Sequence, residues 1–358
     1  MKKIDLFLIT YNRLKVLKRT LDSILDEKSP IREYDITVID NNSTDGTYEY
    51  LIALSKKYTN ISVIKNIRNI GGNANICRAY EMSLSKPAKY VWVLCDDDFY
   101  DFSGWNEVES MISKNYDVIS VCNYAMAEQY SEKEFYSNLL LQMTFVPSGI
   151  YKKELFTDEV LTNMYDSVIM MFQQSVILMS AINNKKKIGI VKNEIVHNGV
   201  FQPDDDVDYS YVRGSRRSLK RRNDTTWILG YANVLTLLDN VQLRKDAMRV
   251  ALNSKCIFLN GISDFLNAGV KSFVDNNCEH YLEEIKYVVD DDLVEAINNK
   301  IIEFENVIEV RRKQFYHHDI DMTEPISFKN KMKLFLKKYM PHTFKLLKKI
   351  RNKLRNKN

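Results

Sequence analysis

Paired cysteines are missing from this chain. Its five cysteines, Cys77, Cys95, Cys122, Cys256 and Cys278, are scattered and never spaced as a metal knuckle or a redox pair. That excludes a disulfide scaffold or a zinc ribbon and points to reduced, structural thiols in a cytoplasmic compartment. A cleavable leader is missing as well: Met1 to Thr10 carries charge within a short apolar run and has no cleavage site, so it reads as a first strand. Long apolar runs are absent. Ser167 to Asn184 has 18 residues without a charge, but Gln173, Gln174 and Ser175 interrupt it, which suits a buried helix better than a membrane span. There is no internal repeat, dinucleotide fingerprint or Walker loop. Acid is absent from the last 32 residues, Ser327 to Asn358, which hold 12 Lys/Arg. The other 39 of the 51 cations face all 47 carboxylates, so the net charge of +4 is a property of the tail.

What is present suits a sizeable core: 358 residues, 45% of them hydrophobic and 11% aromatic. Apolar strands are expected at Ile4 to Thr10, Ile36 to Ile39, Ile61 to Ile64 and Tyr90 to Cys95. Between them helical spacing falls on Leu14, Leu17, Leu21, Ile24 and Leu25, on a stretch running to Tyr58, and on about Ala74 to Ser85. Strands alternating with helices at this pitch predict βαβ units and a mainly parallel sheet.

Tyr90 to Asp98 is the stretch on which the rest turns. A continuous apolar run, the pattern of a central strand, ends in Asp96, Asp97 and Asp98. Ligands of open α/β sheets bind beyond the carboxyl ends of the strands. Three adjacent acids there either form a solvated turn or call for a counter-charge, and a divalent cation bridging to a diphosphate would supply one.

Four strand-end signatures occur in order: Thr10-Tyr11-Asn12-Arg13, Asp40-Asn41-Asn42-Ser43-Thr44-Asp45-Gly46-Thr47, Asn69-Ile70-Gly71-Gly72-Asn73 and Asp96-Asp97-Asp98. Together they resemble the family-2 glycosyltransferases of GT-A fold over roughly residues 4 to 200. The resemblance implies an inverting, metal-dependent transferase that uses a nucleotide sugar, most readily a UDP-sugar, with Mn2+ or Mg2+ as cofactor. It implies donor binding by Thr10, Tyr11, Arg13, Asp40, Asn69, Gly71, Asp96 and Asp97. Tyr11 would offer a face to the base and Asp40 would accept from a base N–H. Asp96 and Asp98 match the ends of an Asp-X-Asp motif, with Asp98 on the metal and Asp97 between them, although a one-residue shift of role is open. Phe145 to Lys153 resembles the acceptor-side strand, a glycine followed by basic positions. The family commonly carries the base in a Glu-Asp pair at a helix start, and here the sequence departs from it: Asp158-Glu159 comes early. Asp166, before an expected helix from Ser167 to Ile182, is the candidate base and equally a helix N-cap. His197 is a candidate further metal ligand or a structural histidine.

A helix around Trp105 to Lys114 and a strand from Asp117 to Cys122 are expected, with a polar excursion over Asn123 to Ser137. The expected organisation is a GT-A catalytic domain over 1–202, an acidic and basic loop over 203–225, a helical region over 226–320 and a tail over 327–358. Arg213 to Arg222 packs six Arg/Lys and reads as a surface loop or a lid over phosphate. The helical region has apolar positions at Ile228, Tyr231, Val234, Leu235 and Leu238, with loops expected near Asn267 to Gly269 and Asp290 to Asp292. In the tail, cations alternate with Phe328, Leu334, Phe335, Leu336, Phe344 and Leu347, and Pro341 divides it. Such a basic amphipathic segment suits an anionic membrane surface rather than nucleic acid. The expected location is cytoplasmic and peripheral on the inner face of the cell membrane, with a saccharide or lipid-linked acceptor. Two rivals remain: a sugar-1-phosphate nucleotidyltransferase, disfavoured because no Gly-rich Arg/Lys loop follows the first strand, and a non-enzymatic adaptor, which leaves Asp96 to Asp98 without purpose.

Overall fold

A computed structural model describes residues 3–122, 132–169, 171–199, 223–254, 261–275 and 279–317. The parallel half of the main sheet consists of β1 (Ile4–Thr10), β2 (Ile36–Asp40), β3 (Ile61–Lys65) and β4 (Tyr90–Cys95). They are connected by α1 (Leu14–Ile24), α2 (Thr47–Lys57) and α3 (Gly72–Ser83). β1 pairs parallel with β2 on one side and β4 on the other, so the N-terminal strand is central. Its near-continuous burial explains why its pattern does not alternate.

Beyond β4 come the short β5 (Asp98–Tyr100), α4 (Trp105–Ser113), β6 (Val118–Ser120) and α5 (Glu132–Gln142). Then follow β7 (Gly149–Lys152), α6 (Asp158–Asp166), α7 (Ser175–Asn183), β8 (Ile188–Ile190) and β9 (Val196–Asn198). The seven-stranded sheet runs β3-β2-β1-β4-β7-β6-β8, with β7 antiparallel to both neighbours, and β5 pairs with β9 as a separate ribbon. This mainly parallel sheet flanked by helices is the GT-A architecture. Trp92 and Trp105 stack at 6.0 Å between ring centres in the core beneath it, and the Trp92 indole N–H donates to the Pro147 carbonyl at 2.8 Å. Cys77 and Cys122 are buried, Cys95 is half-buried, and none of the three is in a disulfide.

The helices after the sheet start with α8 (Asn223–Leu235) and α9 (Val241–Asn253) and end in a long helix, Asp291–His317. Ile228, Tyr231, Val234, Leu235 and Leu238 are all buried, as their spacing predicts. α9 packs on α5 and α8 packs on α7. Residues 1–302 form one compact unit and 303–358 a second.

Four expectations need correction. Residues 132–142 are helical, with Ser137, Leu139 and Leu140 buried, so the polar pattern at Asn123 to Ser137 concealed the start of an amphipathic helix; residues 123–131 lie outside the described residues. The single helix expected over Ser167 to Ile182 is broken. A 3-10 turn at Ser167–Ile169 is followed by Met171 and Phe172 at φ 76 and 63, and α7 starts only at Ser175. Residues 267–269 are not a loop but the end of a π-helical turn, Phe265–Gly269, and a Cβ on Gly269 would sit 2.9 Å from the Phe265 ring. Finally, the basic pair after Gly149 lies at the far end of the sheet, because β7 runs antiparallel to β4. There Lys152 pairs with Asp117 at 3.3 Å, and Lys153 pairs with the buried Asp5.

Candidate functional site

Register alone brings the strand-end signatures together. Thr10 lies beside Asp40, and Ile9 beside Cys95, at the carboxyl ends of three adjacent parallel strands. After β1 the chain turns at Asn12, whose φ of 50 is one that asparagine tolerates. Its N–H donates to Ser43 Oγ at 2.9 Å, and its Oδ1 accepts from Thr44 N–H at 2.8 Å. The loops after β1 and β2 are thereby fixed to each other. Tyr11 is half-buried in this turn.

Asp40 is fully buried, and both its oxygens accept from Ser43 N–H, at 3.2 and 3.1 Å. Burial pushes its pKa up; the bonds from Ser43 and the charge of Lys65 pull the other way. Next to it is an asparagine network of which the sequence-based site held only Asn69. Asn41 Nδ2 donates to Asn69 Oδ1 at 2.9 Å, and Asn41 Oδ1 accepts from Asn66 Nδ2 at 2.9 Å and from Ile70 N–H at 3.0 Å. Asn66 also donates to Asn75 Oδ1 at 2.9 Å. The network holds the Asn69–Gly71 loop against β2. Gly71 at φ 87, ψ 154 then admits the chain into α3 through a backbone region open essentially to glycine. The only signal for Asn41, Asn66 and Asn75 was their density between the second and fourth strands, which reads as turn chemistry.

The acidic tip is more enclosed than a solvated turn would be. Asp96 is 4% exposed and Asp98 1%. Arg13, itself buried, donates through one nitrogen to Asp96 Oδ1 at 2.9 Å and Asp97 Oδ2 at 2.6 Å. Its guanidinium is therefore engaged with the two acids inside the site. Thr20, on the buried face of α1, places its hydroxyl 2.8 Å from the Asp96 carbonyl and 3.0 Å from that of Asp98, pinning the turn. Asp98 heads β5, which pairs with β9 opposite Asn198. Its two oxygens have no hydrogen bond of ordinary geometry, although the Gly199 N–H points favourably at them. Burial, then the negative charge of Asp97, push the Asp98 pKa well above the carboxylate range. Burial also raises Asp96, against the opposing charge of Arg13.

Asp97 proves closer to the centre than a bystander between two working acids. Among the described residues, Cys95 Sγ and one oxygen each of Asp97 and Asp98 lie within 4.8 Å of one another. Buried acid oxygens lacking donors in such a group fit a divalent cation, which coordinates oxygen and removes the repulsion. His197 is not brought to this group. Strand alternation puts it opposite Phe99, on the face of the ribbon away from Asp98, with ring centres 6.1 Å apart and Glu194 3.7 Å from its Nδ1. Asp166 is exposed in the last turn of α6 rather than capping a helix. It stands two residues before Val168, whose carbonyl accepts from Asn73 Nδ2 at 2.8 Å, so its segment is tied to the start of α3. The loop at 203–222 and the tail at 327–358 lie outside the described residues.

Two cavities lie away from these groups. One of about 160 Å3 is lined by Lys245, Arg249, Ile262 and Leu266 among the late helices. The other, open and about 630 Å3, is lined by Arg32, Tyr58 and Asn60, before β2 and β3. It sits at the amino ends of the strands, the wrong end of such a sheet for a ligand.

Comparison with known proteins bears on family and fold. Residues 5–178 match the profile described as "Glycosyl transferase family 2". The chain is 24% identical over 185 residues to poly(ribitol-phosphate) beta-N-acetylglucosaminyltransferase TarP of Staphylococcus aureus (strain N315), covering 52% of this chain and 53% of that protein. It is also 24% identical over 199 residues to the poly(ribitol-phosphate) beta-glucosyltransferase of Bacillus spizizenii (strain ATCC 23059 / NRRL B-14472 / W23), covering 52% and 31%. The match thus spans about half the length of one relative and a third of the other. Among solved structures, S. aureus TarS superposes with a TM-score of 0.54 at 15% identity, covering 84% of this chain and 54% of that one. Residues 1–349 of TarS in complex with UDP-GlcNAc superpose with a TM-score of 0.50 at 15% identity, covering 87% and 92%. At that identity the likeness concerns fold.

Proposed function

We propose that this chain, whose residues 5–178 match the glycosyl transferase family 2 profile, is a member of that family and moves a sugar from a UDP-sugar to a saccharide or lipid-linked saccharide acceptor of a bacterial surface glycan, with inversion. The observation that carries the reading is Asp98: a carboxylate 1% exposed, short of hydrogen-bond donors, three residues beyond the carboxyl end of β4, the strand that pairs with β1. The UDP donor and glycan acceptor rest on the named activities of the relatives and on the nucleotide sugar bound by TarS.

In this reading Asp40 accepts from a base N–H, and Tyr11 stacks on the base. Asp96, held by Arg13, faces the ribose, and the amides that open α3 after Gly71 lie toward the phosphates. Asp98 and Asp97 would hold Mn2+ or Mg2+, which neutralises charge on the leaving diphosphate. Asp166 takes the proton of the acceptor hydroxyl as that oxygen attacks the anomeric carbon and the bond to the diphosphate oxygen breaks on the opposite face. The tie between Asn73 and Val168 supports it, because it fixes the Asp166 segment beside the donor loop. The basic tail over 327–358 docks the enzyme on an anionic membrane surface, where a lipid-linked acceptor would lie. No helix among the described residues is long and apolar enough to cross a membrane.

The test is product analysis with UDP-sugars and Mn2+. The reading expects free UDP and a glycoside of inverted anomeric configuration, both lost in Asp98→Ala. Release of pyrophosphate, or turnover unaffected by that substitution, overturns it.

A further inference from the structure

We propose that Cys95 is a direct ligand of the cation held by Asp97 and Asp98, so that this site prefers a thiophilic divalent ion such as Zn2+ over Mg2+ and Mn2+. The inference rests on the cation role given above to Asp98 and extends it to a residue outside the acidic triplet. It begins with geometry. Cys95 ends β4, one residue before the acids, and its Sγ falls within 4.8 Å of an oxygen of Asp97 and one of Asp98. At a tetrahedral zinc ion, a sulfur and an oxygen ligand stand about 3.6 Å apart. The group therefore closes on an ion by drawing in by about 1 Å at most. Independently, the carboxylate of Asp98 is buried without a partner of ordinary geometry and reaches into the same group.

Charge and softness give the preference. One thiolate and two carboxylates carry three negative charges toward one divalent ion, with Arg13, paired to Asp97, moderating them. Sulfur favours Zn2+, Co2+ and Cd2+, whereas a set of carboxylates alone suits Mg2+ and Mn2+. Binding replaces the thiol proton, which leaves to solvent, so uptake should release protons. The other described cysteines do not share this position: Cys77 Sγ is bonded to the Met164 carbonyl and Cys122 Sγ to that of Val196.

Co2+ serves as the probe, because a bound thiolate gives an intense near-ultraviolet charge-transfer band that oxygen ligands do not. The full chain should develop that band at one equivalent. Cys95→Ser should lose it while still taking up Co2+ by calorimetry, and Asp98→Ala should lose both. In competition, Zn2+ should displace Mn2+ from the wild-type chain at least tenfold more readily than from Cys95→Ser, read from the electron paramagnetic resonance of released Mn2+. Should Cys95→Ser misfold by circular dichroism, the wild-type band and its loss in Asp98→Ala decide. Co2+ bound without the band, or a band that survives in Cys95→Ser, overturns the thiolate ligand and leaves the cation reading intact. No uptake of any of these ions overturns both.

Discussion

Asp98 sets the terms at the scale of single residues. Its folded pKa is raised chiefly by burial, so the folded state binds a proton that the unfolded chain has already released. Between the unfolded carboxylate pKa and the raised folded value, the metal-free protein must lose stability as pH rises. Asp98→Asn removes that dependence, so metal-free thermal melts should show the variant gaining on wild type from pH 5 to pH 8. A gap that does not change with pH would contradict the raised value. Arg13 is the counterpart: Arg13→Met leaves Asp96 buried without its cation and should destabilise by ~3–5 kcal/mol in denaturant titration. Thr20→Val removes the hydroxyl that pins two carbonyls of the acidic turn, and ~1–3 kcal/mol should be lost. Neither role was legible in sequence. Nothing in the sequence singled out Thr20, and Arg13 read as a ligand contact, because its partners lie over 80 residues away in the chain.

At the scale of elements, the parallel half was legible because burial on both faces writes an unbroken apolar run. Tyr90 to Cys95 matches β4 residue for residue. Beyond β4 the extent of the elements was less so. β6, expected from Asp117 to Cys122, spans only Val118–Ser120, and the break at Met171 and Phe172 puts bulky residues at positive φ, which no composition announces. The donor loop was visible by its glycines, but not the asparagines that hold it. Gly71→Ala should strain the entry to α3 by ~1–3 kcal/mol despite open space for the methyl group. Asn41→Ala should raise KM for the donor more than it lowers kcat, because it loosens a positioned loop and touches no reacting bond. An equal effect on both would place Asn41 in the chemistry instead.

For the whole molecule, one sheet end gathers Thr10, Tyr11, Asp40, Gly71 and the acidic triplet from four strand ends spread over nearly ninety residues. The helices from α8 onward carried no motif, yet their apolar spacing announced their burial. Deleting 327–358 should abolish co-sedimentation with vesicles containing anionic lipid and leave transfer to a soluble acceptor intact. Equal sedimentation of the truncated chain would remove the membrane role. The central claim is a cation at Asp98 bridging to a donor diphosphate, and calorimetry of UDP with and without Mn2+ addresses it directly. Mn2+ should strengthen UDP binding at least tenfold in the wild-type chain and not at all in Asp98→Ala. The same Mn2+ enhancement in both proteins would contradict the account.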